Sequence, residues 1–182
     1  MNNFDAPARK VLDGSLVAAP LAYLALDSSY AARGWWDGWT GGAHVLAAAL
    51  YGIAALKLVT LARGRWQVVL LIVALLGVVG NAGVGDNAVH VALGGNDLFS
   101  EDGPANLFKM IGFFFPLTFL LAAVALRKLV PTWWSILLAL GAVLFPIAHV
   151  ANISWLAIVD AVIMLAALGS LERVRCESRH SV

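Results

Sequence analysis

Residues 67–92 read QVVLLIVALLGVVGNAGVGDNAVHVA, an apolar run whose only formally charged side chain is Asp86. A run of ~20 such residues is the length that crosses the hydrocarbon layer of a bilayer as one helix. The rest of the chain repeats the pattern. Hydrophobic residues make up 61% of it and charged residues 13%, about half the ~25% of a soluble domain. Mean hydropathy is +0.84. The sequence therefore predicts an all-α, polytopic transmembrane helix bundle forming one integral membrane domain over residues 1–182.

Working outward from that run, spans are predicted at 41–62, 67–92, 107–126, 132–150 and 153–171. The last two come from one apolar stretch, Trp133 to Gly169, broken by the polar text His149-Val150-Ala151-Asn152-Ile153-Ser154. A sixth span at 10–31 is interrupted by Asp13, Pro20, Asp27, Ser28 and Ser29. It also reads as a signal peptide, with a basic start and small residues at Ala31-Ala32. With Met1 heading the chain, a retained span is the expectation, so six spans are predicted and five are the fallback.

Six spans place Arg9, Lys10, Arg63, Arg65, Arg127, Lys128, Arg173, Arg175 and Arg179 on one side and only Arg33 and Lys109 on the other. Lys57 lies within the second span and is expected to snorkel to the basic side. The positive-inside rule then puts both termini in the cytoplasm of a cell whose plasma or inner membrane holds the protein. A net charge of +1 without a basic cluster excludes a nucleic-acid partner. A single cysteine, Cys176, excludes an internal disulfide or thiolate metal cluster.

Three histidines share similar local text, Ala43-His44-Val45, Val89-His90-Val91 and Ala148-His149-Val150. The topology carries all three to the extracytoplasmic end. Asp86 lies one helical turn from His90, the spacing that stacks two side chains. Asp160 sits about two turns into the last span, and Asp27 closes the first. An ionisable group inside a membrane marks a functional site by default. The candidate catalytic residues are accordingly Asp86, His90, His149 and Asp160, with Asp86–His90 as an acid–base or proton-relay pair. His44, Asn87, Asn152, Trp155 and Asp27 are candidates for binding substrate.

Each feature has a blander reading. Boundary histidines are often interfacial, which suits His44 best. Gly77, Gly80, Gly83 and Gly85 are explained by helix packing, although such a stripe also lets a flat cofactor approach. Trp66, Trp133 and Trp134 at one boundary, and Trp35, Trp36 and Trp39 at the other, fit an aromatic belt, as does Trp155. The acidic loop Asn96–Asn106 is a solvated connection or a cover for the site.

The stretch from His44 through Arg63 to Asp86-Asn87-Ala88-Val89-His90-Val91-Ala92-Leu93-Gly94 resembles a family of small four-helix, mainly actinobacterial membrane proteins of unknown function. Those proteins carry a histidine-bearing helix, a basic turn and a D-N-x-x-H-x-x-L-G motif. The resemblance covers under a third of the chain and implies only a membrane protein.

These residues point first to a membrane enzyme with a His/Asp acid–base site near the extracytoplasmic face. Its partners would be membrane lipid and an isoprenoid or other apolar small molecule. A haem or divalent-metal protein using His90 and His149, with His44, is the alternative. A proton-coupled transporter and an accessory subunit are further readings. No cofactor is fixed by the sequence.

Overall fold

The computed structural model describes residues 5–180, and the side chains of Arg175, Cys176 and Arg179 lie outside the described ones. Seven helices follow one another: α1 (Ala6–Arg33), α2 (Gly38–Leu61), α3 (Arg65–Ala92), α4 (Ala105–Gly112), α5 (Phe114–Leu126), α6 (Thr132–Val150) and α7 (Ser154–His180). Six segments are long and apolar enough to cross a membrane, the fourth being Lys109–Leu126 across the α4–α5 junction. The interrupted first span is a continuous helix despite Pro20. An even number of spans leaves both ends of the chain at one end of the bundle, the terminal end.

Local chemistry sets the boundaries. Asp5 caps α1 by accepting the Ala8 N–H, and Gly34 at φ 92° stops it. Asp37 caps α2, accepting both the N–H and the hydroxyl of Thr40. Side-chain oxygens at these positions satisfy N–H groups that the first helical turn leaves unpaired. The fourth span breaks at Phe113. Pro116 has no N–H to offer the carbonyl of Gly112, so the helix bends there.

Helices α1, α2, α3, α5, α6 and α7 each pack on the next, and α7 returns to α1, closing a six-membered ring. Short α4 leans on α3 and α5. Glycines permit the tightest crossings. A Cβ on Gly77 would stand 2.7 Å from the Phe115 Cα, and one on Gly85 would stand 2.6 Å from the Gly41 carbonyl oxygen. Gly80 meets the backbone of Ile111 and Gly112 in the same way. Neighbouring backbone fills the space beside these glycines, so they give no clearance for a flat cofactor.

The terminal half of the ring is filled by Leu58, Leu70, Phe119, Leu126, Trp134, Leu138, Leu168 and Leu171. Trp134 is not a belt residue: it is buried, and its indole N–H donates to the Ala167 carbonyl at 2.5 Å. Lys57 does not snorkel free. Its ammonium meets Asp13 at 2.5 Å and Glu172 at 3.0 Å, tying α2 to α1 and α7. Outward, Val68, Ile72, Leu75 and Val79 form an exposed apolar stripe on α3, as a lipid-facing helix requires.

Candidate functional site

Helix α1 supplies the backbone of the site. Tyr23, Asp27 and Tyr30 follow at spacings of four and three, which places them on one helical face, and all three are buried. Facing them, α2 brings His44, α3 brings Asn81 and α6 brings His149.

His44 is at the centre of a closed polar cluster. Its Nε2 lies 3.2 Å from Asn81 Oδ1 and 3.0 Å from the Tyr23 hydroxyl, and its Nδ1 lies 3.1 Å from the Tyr30 hydroxyl. The Asn81 amide N–H donates to the Tyr23 oxygen, which turns Oδ1 toward the imidazole. A carbonyl oxygen only accepts, so Nε2 carries the proton and Nδ1 accepts from Tyr30. Every nitrogen of His44 is thus engaged within the protein. The cluster pins three helices together, and each polar atom in it has a hydrogen-bond partner.

His149 is held differently. Its Nδ1 lies 2.9 Å from the Phe145 carbonyl, one turn earlier in α6, and its Nε2 lies 3.2 Å from Asp27 Oδ1. The carbonyl has no proton to give, so Nδ1–H is the donor whatever the charge of the ring. The Asp27–His149 contact therefore needs one proton, on the carboxyl or on Nε2. Phe145 stacks on the ring at 4.1 Å between centroids, and Trp35 meets it edge-on at 5.6 Å. Asp27, 1% exposed, has its second oxygen buried with no hydrogen-bond partner. Asp160 is likewise buried, and its Oδ1 has no partner.

A cavity of about 370 Å³ opens beside these groups at the end of the bundle opposite the termini. Tyr30, His44, Asn81 and His149 lie on its wall, with Trp35, Trp36, Phe113, Phe145, Pro116 and Val84 giving it an apolar lining. Its volume is at the low end of the ~300–1,000 Å³ found for small-molecule sites.

The acidic loop does cover this cavity, and Asn87 holds it there. The Asn87 amide donates to Asp97 Oδ1 at 2.8 Å, and its carbonyl oxygen accepts from the Leu98 N–H at 2.9 Å. Asp97 also accepts from the Phe99 N–H and the Ser100 hydroxyl. Burial pushes the Asp97 carboxyl up. The hydrogen bonds from Ser100, Asn87 and Phe99, with Lys109 nearby, outweigh that and bring it below its ordinary range. Asp97, Phe99 and Ser100 line the cavity as a strap.

Sequence-predicted residues divide accordingly. His44, His149, Asn87 and Asn152 reach the cavity wall, and Asp27 stands directly behind His149. Asn152, at φ 54°, makes the α6–α7 turn, and its carbonyl accepts from the Trp35 indole. Asp160 is buried in the core without lining the cavity. Trp155 is 68% exposed and faces away. Asp86 and His90 share a face of α3, but that face is exposed and turned out of the bundle, so the structure does not bring them to the other histidines. The His90 ring instead covers Gly95, where α3 ends in a turn through Gly94 at φ 93°.

The haem and metal reading finds no matching geometry. Among the described residues no three His, Cys, Asp or Glu side chains gather as metal ligands. His90 faces outward, both nitrogens of His44 are taken, and among the described residues no third ligand joins Asp27 and His149.

No family model, curated protein or solved structure matches the chain. In this fold the D-N-x-x-H-x-x-L-G text has a local use: Asn87 anchors the strap, while His90, Leu93 and Gly94 shape the end of α3. Sequence reasoning missed Tyr23 and Tyr30, although their spacing about Asp27 was visible. It also passed over Lys109 and Asp97, whose place at the cavity depends on the fold of the strap.

Proposed function

We propose that this chain is a cell-membrane enzyme whose acid–base pair, Asp27–His149, serves a lipophilic small molecule entering from the extracytoplasmic side. The observation that carries the reading is the single proton required between Asp27 and Nε2 of His149, at the wall of a cavity lined mainly by apolar side chains. A group that gains and loses one proton beside a bound molecule is what general acid–base catalysis needs. The fixed Nδ1–H donor keeps the other nitrogen as the working one. A ligand oxygen or carbanion beside Nε2 takes its proton while Nδ1–H stays on the Phe145 carbonyl, and the Asp27 carboxylate favours the proton's return.

The nine-to-two distribution of Lys and Arg supports cytoplasmic termini, hence an extracytoplasmic cavity. The apolar packing of the terminal half, from Leu58 to Leu171, argues against a transport path through the ring. Asp86 and His90 have no catalytic part in this reading.

The test is conversion of lipid. Purified protein in nanodiscs, incubated with a total lipid extract and followed by mass spectrometry, is expected to change the mass of a discrete component. Asp27→Asn and His149→Gln should abolish the change, and Asp86→Asn should leave it. No conversion by the unaltered protein, or full conversion by His149→Gln, contradicts the proposal.

A further inference from the structure

Polar valences are distributed unevenly around the cavity. On its floor they are satisfied internally: His44 is saturated by Tyr30, Asn81 and Tyr23, and His149 by Phe145 and Asp27. Asn87 is committed to the strap through both ends of its amide. At the mouth, Lys109 has one hydrogen bond among the described residues, a long one of 3.3 Å to the Phe99 carbonyl. Among the described residues no carboxylate lies within ion-pair distance of it, whereas Arg33, the other basic residue of this end, is paired with Asp37 at 2.7 Å. Asp97 is the acid among the lining residues, and its two oxygens already accept from Asn87, Phe99 and Ser100.

An ammonium group with spare N–H donors, above a wall built from Trp36, Phe113, Val84 and Phe145, matches one kind of molecule. We infer that the cavity takes a single-chain amphiphile with an anionic head, a carboxylate or a phosphate monoester, which Lys109 holds at the mouth. The inference rests on the proposal that this cavity is the ligand site and names the class of ligand. The apolar body then runs inward along Phe113 and Phe145 to the His149 ring. The group handled by Asp27–His149 accordingly belongs to the body of the ligand and not to its head. A neutral head would leave the lysine as it is, and a cationic one would meet its repulsion.

Binding of three probes with the same alkyl chain tests this: a carboxylic acid, a phosphate monoester and an alcohol, titrated into the full chain in a non-ionic detergent. At least one anionic probe should bind about tenfold more tightly than the alcohol, as a charge-assisted hydrogen bond implies. Which anion gains more identifies the head group. Lys109→Gln should erase the difference and Lys109→Arg should preserve it, with alcohol binding unchanged in both. Equal binding of all three probes, or an undiminished preference in Lys109→Gln, overturns the anionic-head inference and leaves the cavity as a ligand site. Failure of every probe to bind overturns the ligand site as well.

Discussion

Nε2 of His149 faces Oδ1 of Asp27 at 3.2 Å, while the opposite ring nitrogen is fixed as a donor by the Phe145 carbonyl. The two residues sit 122 positions apart and join α6 to α1 across the ring. Removing one partner from a buried pair leaves the other uncompensated, at a cost of about 3–5 kcal/mol. Asp27→Ala and His149→Ala should each lose that much in reversible unfolding by a denaturing detergent. The double variant should lose less than the sum, with a coupling of about 0.5–3 kcal/mol. Strict additivity would mean that the two groups do not interact.

The buried cluster and the exposed motif should respond in opposite ways. His44→Ala leaves the Tyr30 hydroxyl without its partner in the core, and Asn81→Ala takes one hydrogen bond from His44 and one from Tyr23, at about 1–3 kcal/mol for each variant. Asp86→Asn and His90→Ala change a face turned out of the bundle and should stay within about 0.5 kcal/mol of the parent. The same unfolding titration reads all four.

Asn87→Ala should free the strap without loosening the bundle. Two hydrogen bonds of about 1 kcal/mol each are lost, so amide exchange over residues 96–100 should quicken about 10–30-fold. Exchange in the middle of α3 should not change. Unaltered exchange in the loop would show that Asn87 is not its anchor.

Arg33 and Thr40 hold the Asp37 carboxyl down to about 2. An unfolded-state aspartate titrates near ~3.9. Because the folded value is the lower one, the stabilisation is complete above the unfolded value and is lost as pH falls from about 4 through about 2. Melting temperature should decline across that window. In Asp37→Asn, which keeps a capping side chain but cannot ionise, the part of the decline due to this residue should vanish.

The fold was largely written in hydropathy. Runs such as 67–92 and the split in 132–171 are matched by α3, α6 and the start of α7 within a few residues, α7 running on to His180, because span length and backbone satisfaction leave a chain in lipid few options. The interrupted first span was readable from the apolar stretch Leu16 to Leu26 behind the basic pair Arg9 and Lys10, and from the charge balance it restores. The site was less legible. Asp86 and His90 do stack on one face, as their spacing requires, but spacing cannot say which face of α3 turns inward. The glycines decide that: Gly77, Gly80 and Gly85 take the buried side against α5, α4 and α2, which sends Asp86 outward. Asp27 was read as a candidate, but Tyr23 and Tyr30 beside it were passed over, because prolines, serines and acids in α1 made it look like a poor span, not an inward polar face. Lys57 shows the same limit, since its partners Asp13 and Glu172 lie on helices far away in the sequence.

The state of the His149 ring tests the central claim most directly. Nitrogen-15 NMR of histidine-labelled protein in bilayers distinguishes protonated from bare ring nitrogens, with His149→Gln assigning the signals. The Nδ1 of His149 should remain protonated throughout a pH titration. Only Nε2 should change state, and Asp27→Asn should alter that change. A neutral ring bearing its proton on Nε2, or a titration indifferent to Asp27→Asn, would contradict the account.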